Sequence, residues 1–275
     1  ASSSGTDFGS GDFTLECWFK DTRTSGETEL DTIFAMSGYN GSSSENSFSV
    51  YTRQGGFRIF DRSGGSYIAM LNTINFFTQV GTWHHFAWTR SGSGTNNNTV
   101  WIDGSVHATF TGTRDYTAGQ NFYIGGNNYD GTGTPNKYGF NGNISNVRIT
   151  KGQAIYTTAF KPSTAPLTTT SQGATASNVK VICCNNSSIT GSTVTSGTIT
   201  STNTPTASTI SPFDDPEGFK FGKEEDQNII KCGYYRTDSN EDAIPYLGWE
   251  AQWVLTKRID GGSNNWMIYD SMRGL

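Results

Sequence analysis

The 275-residue sequence predicts an all-β protein: an antiparallel two-sheet sandwich, followed by a polar linker and a partial second β-rich domain. Three observations predict it. Short runs of alternating apolar and polar residues recur between Gly, Ser and Asn clusters. Glycine (33) and aromatic residues (13%) are abundant, whereas charged residues are only 16%. No long amphipathic helical run is evident, so neither a helix bundle nor a parallel α/β sheet fits.

The first strand is expected at Phe13–Lys20, where Phe13, Leu15, Cys17 and Phe19 share one face. Thr32–Met36, Ser47–Tyr51 and Phe57–Phe60 follow, with Gly55-Gly56 expected as the hairpin turn between the last two. Trp83–Arg90 is next. Val100–Ile102, Asp103-Gly104 and Ser105–Ala108 give the clearest hairpin, because Asp-Gly suits a two-residue turn with positive φ at both positions. Phe122–Gly125 and Ile144–Ile149 complete the set. Trp18, Trp83, Trp88 and Trp101, lying on strands, are expected in the core.

Residues 1–184 form the expected sandwich. From 185 to 212 the chain is almost entirely Ser, Thr, Asn and Gly, which reads as a flexible linker. Its β-branched content leaves a second option, an extended strand docked on a neighbour or on another copy. Residues 213–275 regain aromatic and charged residues, with strands expected at Lys231–Tyr235, Trp249–Arg258 and Trp266–Asp270. So short a segment seldom stands alone. With Ala1 opening almost directly into strand, it suggests a piece of a longer polypeptide.

The net charge is −5, from 19 basic and 24 acidic side chains. Residues 1–211 hold 12 of each sign and residues 212–275 hold 12 acidic against 7 basic, so the deficit lies in the last segment. No basic patch tracks a phosphate backbone, which argues against nucleic acid. No apolar run suggests a membrane span, and no signal peptide is evident. Cys17, Cys183, Cys184 and Cys232 match neither a zinc site nor a disulfide framework. They are expected as free thiols, pointing weakly to assembly in a cytoplasm.

Taken in order, Gly11–Trp18, Trp83–Gly92, Val100–Gly104, Tyr123–Gly125 and Phe140–Ile149 resemble the laminin-G-like, concanavalin-A-like jelly roll. Arg148–Gly152, Ala154–Tyr156 and Phe160–Pro162 are similar to such modules in tailed-phage virion proteins. Phe213–Phe219, Asp226–Lys231 and Trp253–Gly274 resemble a segment that follows them. The resemblance implies a virion structural protein of a tail, fibre or capsid-surface appendage, assembled in the host cytoplasm. Its partners would be other virion subunits, a second copy of itself in a homo-oligomer, and a host-surface glycan. The alternative is a carbohydrate-binding module or adhesin, secreted or at a cell surface.

Many relatives place paired acidic residues in the last strand to bind calcium, but here that stretch reads Ile144-Ser145-Asn146-Val147. No resident cofactor is expected, although Asp7, Asp12 and backbone carbonyls could supply a weak calcium site. Sugar-cleaving relatives alternate carboxylates along one strand. Glu29-Leu30-Asp31 begins that pattern, but Ile33 and Phe34 follow where a second acid is needed. Glu224-Glu225-Asp226 is contiguous, so its members diverge, and a hydrolase is not expected. His84 and His85 face opposite ways on a strand and cannot chelate together; a structural role, with a ring bonded to backbone, is expected. Binding chemistry fits better. Asn127-Asn128-Tyr129-Asp130 and Tyr39-Asn40 combine amide, carboxylate and ring, and Asn96-Asn97-Asn98 is a weaker third group. Their plain alternative is turn formation.

Overall fold

A computed structural model of the chain describes residues 5–23, 30–37, 47–53, 56–63, 66–73, 81–116, 121–127, 138–213, 253–257 and 265–270. Fourteen strands occur among them, with short 3-10 turns and no α-helix. In chain order they are β1 (Phe13–Asp21), β2 (Asp31–Ser37), β3 (Ser47–Arg53), β4 (Gly56–Ser63), β5 (Ser66–Asn72), β6 (Trp83–Arg90) and β7 (Asn98–Ile102). Then come β8 (Ser105–Phe110), β9 (Asn121–Ile124), β10 (Gly142–Lys151), β11 (Val179–Cys183), β12 (Ser192–Val194), β13 (Trp253–Thr256) and β14 (Met267–Asp270).

Two antiparallel sheets make the sandwich. One has seven strands in the order β12-β11-β10-β1-β6-β7-β8, the other five in the order β5-β4-β3-β2-β9. This is the jelly-roll-like lectin architecture expected. The chain divides into units 1–214 and 215–275; in the second, β13 pairs with β14.

Alternation builds the core. Phe13, Leu15, Cys17 and Phe19 of β1 are each fully buried and meet Phe34, Phe48, Phe57, Phe86 and Trp88. Phe48 stands edge-on to Trp88 at 5.1 Å, and Phe19 edge-on to Phe57 at 5.6 Å. These rings close the two sheets on one another. Trp88 sits in that core, whereas Trp101 is buried in a second cluster with Ala87 and Tyr156. Trp18 and Trp83, also expected inside, are only half-buried.

The Asp103-Gly104 turn has positive φ at both residues, 50° and 78°. Gly104 also meets the chain closely, for a Cβ there would stand 1.7 Å from the Phe160 carbonyl oxygen. The β3–β4 hairpin forms, but Arg53 pairs with Gly56. Its connecting residues are therefore 54 and 55, one position before the Gly55-Gly56 pair expected, because Gly56 already belongs to the ladder. Strands β5 and β11 were not anticipated; β12 falls in the segment for which a docked extended strand was the second option. Within the segment read as a linker, Ser192–Val194 pairs with β11 and Ile199 packs on the core; just past it, Phe213 lies edge-on to Trp18 at 5.8 Å. The expected strand Lys231–Tyr235 lies outside the described residues.

Candidate functional site

The outer face of one sheet is closed by the chain itself. After β10, residues 152–178 cross the seven-stranded sheet. They bury what the alternation of β1 would leave wet, so that Thr14 and Glu16 are both 0% exposed. Glu16 Oε1 accepts from Arg148 Nε at 2.7 Å, and its Oε2 accepts from the Tyr156 hydroxyl at 2.7 Å and meets His85 Nε2 at 3.2 Å. The Arg148 guanidinium reaches on to the Thr168 and Ser171 carbonyl oxygens at 2.8 and 2.9 Å. Burial pushes the Glu16 carboxyl up, but His85, Arg148 and Tyr156 outweigh it and hold it below its ordinary value. Burial beside Glu16 pushes the Tyr156 hydroxyl well up. Tyr156 stacks on Phe160 at 3.6 Å over this network. The arrangement is a strap fastened by a buried charge cluster in which Glu16 pairs with Arg148, His85 and Tyr156.

The five-stranded sheet is left with an outer face of its own. Phe48, Val50, Phe57 and Ile59 point inward, as does Asp61, which accepts from Arg114 Nε at 2.6 Å. Ser49, Tyr51, Arg58 and Phe60 therefore point outward. In register, Phe60 faces Ser49, Ser49 faces Ala35, and Ala35 faces Tyr123. Two half-buried aromatic rings thus flank two small side chains that are themselves buried, Ser49 (7% exposed) and Ala35 (0%), across three strand spacings, about 14 Å. In the next row Arg58 faces Tyr51, and Arg58 Nε donates to Asn72 Oδ1 at 2.8 Å. Partial burial, then the like charge of Arg53, lowers the Arg58 guanidinium from its ordinary value. Rings with a negative face and donors in a fixed fork beside exposed amides (Asn72, Asn121) are a surface for holding a hydroxyl-rich, ring-shaped ligand.

Of the residues singled out by sequence, Asn127 borders this face. Its Nδ2 donates to the Tyr51 hydroxyl at 2.5 Å, and Tyr138 stands edge-on to Tyr51 at 5.8 Å. Asn128, Tyr129 and Asp130, which follow it, lie outside the described residues, as do Tyr39 and Asn40. Ser37, which precedes that second pair, aligns with Asn121 at the other end of β9 from Ile124.

Asn96 and Asn97 belong to the β6–β7 turn. Asn96 has φ +55°, and the Asn97 amide bonds the Gly92 and Gly112 backbone groups at 2.8–3.0 Å. Asn97 is spent on folding. Asp12 accepts from the Gly92 N–H at 2.7 Å, while one buried oxygen of Asp7 has no hydrogen-bond partner. Among the described residues no group of three or more His, Cys, Asp or Glu side chains could hold a metal ion.

Asp31 is buried and ion-paired with Arg23, and Ile33 and Phe34 are core residues. The His84 and His85 rings bond carboxylates, Asp103 and Glu16, where a ring-to-backbone bond was expected. Glu16, Phe60 and Tyr123 are what sequence reasoning passed over. Outward phase on β4 and β9 was the available signal for the two rings; nothing local marks Glu16 as covered.

The model of the concanavalin A-like lectin/glucanases superfamily, of laminin-G type, matches residues 1–154. Most of the strap, together with β11 and β12, continues past that match. No curated protein matches the chain. Solved structures similar to it include a native heptameric SAP-like pentraxin from Limulus polyphemus, 19% identical with TM-score 0.36, covering 60% of this chain and 69% of that one. The CBM40 of a Ruminococcus gnavus IT-sialidase, bound to α2,3 sialyllactose, is 14% identical with TM-score 0.41, covering 54% and 78%. Domains LG4-5 of the mouse laminin α1 chain are 15% identical with TM-score 0.36, covering 56% and 41%.

Proposed function

The chain belongs to the concanavalin A-like lectin/glucanases superfamily, and from that premise we propose that it is a non-enzymatic recognition module holding an oligosaccharide on the outer face of its five-stranded sheet. The observation that carries this reading is the pair of half-buried rings at the two ends of the row, Phe60 and Tyr123, with Arg58 and the exposed Asn72 and Asn121 beside them. A pyranose offers a C–H face to an aromatic ring and hydroxyls to flanking donors and acceptors. Two rings about 14 Å apart suit a short chain of sugars better than one. The opposite face is fastened shut, which supports assigning recognition to this side.

The wider setting we propose is a virion appendage, a tail, fibre or capsid-surface protein, in which the module contacts host glycans. The sequence likeness from Arg148 to Pro162 and from Phe213 onward supports it. So do Trp253, Ile268 and Trp266, 58–61% exposed in the second unit, which suit a covering subunit and hence a homo-oligomer.

A glycan array probed with the full chain, followed by titration of Phe60→Ala and Tyr123→Ala, tests the binding claim. Each variant should weaken Kd roughly tenfold with an unchanged thermal midpoint. A blank array, or variants that bind as well as the parent, would refute it. Sedimentation of the full chain tests the assembly claim, and a single monomeric species would count against it.

A further inference from the structure

Two sulfurs at the end of β11 are set side by side by the backbone. On a regular strand neighbouring side chains point to opposite faces, and Cys183, 1% exposed, points into the inter-sheet core. Cys184 has φ +56°, in the left-handed region that residues other than glycine seldom adopt. The turn brings its side chain back against the same cluster, and the two sulfurs stand 3.9 Å apart. Neighbours hold this conformation in place. The Cys184 carbonyl accepts the Asn146 N–H at 2.9 Å and the Ser145 hydroxyl at 3.3 Å, while Cys183 is in register with Val147 and Ser192. A rare backbone state fixed on both sides is the kind of feature that accompanies a function.

We propose that Cys183 and Cys184 form an oxidisable vicinal dithiol, which hydrogen peroxide closes to a disulfide across the single peptide bond between them. Cys184 is the half-buried member, and its contact with Cys183 favours its thiolate while raising the Cys183 thiol. The Cys184 thiolate attacks one peroxide oxygen: an S–O bond forms, the O–O bond breaks, and the departing hydroxide takes up a proton as water. The Cys183 sulfur then attacks the sulfenic sulfur. The S–S bond forms, the S–O bond breaks, and hydroxide leaves with the Cys183 proton as a second water. The two sulfurs together lose two electrons, and the peroxide gains them.

Adjacent Cα atoms are about 3.8 Å apart, closer than disulfides prefer, so a mild thiol should reopen the ring. The site is independent of the glycan face and adds a modification to the module.

The test treats the full chain with hydrogen peroxide, alkylates it and digests it with trypsin. Cys183 and Cys184 share the peptide that follows Lys180. That peptide should be about 2 Da lighter than its reduced form and unalkylated, and should take up two labels after dithiothreitol. Cys17→Ser should keep the mass loss, although Cys17 lies near enough to Cys184 for their charges to interact. Cys184→Ser should abolish it. Full alkylation after peroxide, oxygen addition without ring closure, a link to Cys17 or Cys232, or loss of the effect in Cys17→Ser would each overturn the proposal.

Discussion

Glu16→Gln is the most informative single change, because it removes one charge from the strap's fastening while keeping its shape. Glu16 and Arg148 are both 0% exposed, and their side chains meet at 2.7 Å. Removing one partner of a buried pair costs about 3–5 kcal/mol, since the other charge is stranded. Gln keeps one acceptor oxygen, and Arg148 keeps its bonds to Thr168 and Ser171. The lower end therefore applies, about 3 kcal/mol. For a unit of this size that is roughly 6–12 °C in thermal midpoint.

Tryptophan fluorescence against temperature reads it directly. The acid limb gives the sign. The folded carboxyl is held below its ordinary value of 4.5, so its contribution is complete above that pH. The contribution is lost as pH falls through the lower, folded value. Parent and variant should converge in acid, the parent showing the steeper loss. A variant midpoint within about 2 °C of the parent at neutral pH would refute the reasoning. So would Glu16→Leu with Arg148→Met being as unstable as the sum of its single changes, because an apolar replacement of the whole pair should recover much of the loss.

Three further outcomes follow from the same geometry. Gly104→Ala, at φ +78° with its Cβ aimed at the Phe160 carbonyl, should lose at least about 2 kcal/mol in urea unfolding; an unchanged midpoint would show that the strap yields freely there. Asn97→Ala should cost about 1–3 kcal/mol by leaving the Gly92 carbonyl and the Gly112 N–H unbonded, with glycan affinity untouched; a selective loss of binding would return Asn97 to the recognition surface. A chain ending at Cys184 gives up β12, the Ile199 contact and the Phe213–Trp18 contact. It should melt several degrees lower than one ending at 213, and equal midpoints would make the segment a mere tether.

The inter-sheet core was legible because alternation is a local signal: Phe13, Leu15, Cys17 and Phe19 announce their shared face within eight residues of β1. The Asp103-Gly104 turn was legible for the same reason, since its chemistry is contained in two residues. What failed was long-range. Glu16 reads as a solvent-facing charge, and only Arg148 and Tyr156, more than a hundred residues away in the chain, make it an interior one. Strand β12 carries a single apolar residue, Val194, and β5 runs Tyr67-Ile68-Ala69-Met70-Leu71 without the alternation that marks a half-buried strand; each pairs along the edge of its neighbour, β11 and β4. The candidate site was legible in part. Asn127 borders that face as a buried residue bonded to Tyr51, but Phe60 and Tyr123 are brought into one row only through pairing of four strands, which no window along the sequence contains.

The slender edge at β12 has a mechanical consequence. It is held to β11 by two registered pairs, Ile182 with Val194 and Cys183 with Ser192, whereas β1 and β10 share eight. A pull transmitted through residue 213 would first detach Phe213 from Trp18, then peel β12, and only afterwards load the long central ladders. The module would give slack under low tension while its sandwich stayed intact, as a shock-absorbing hinge does.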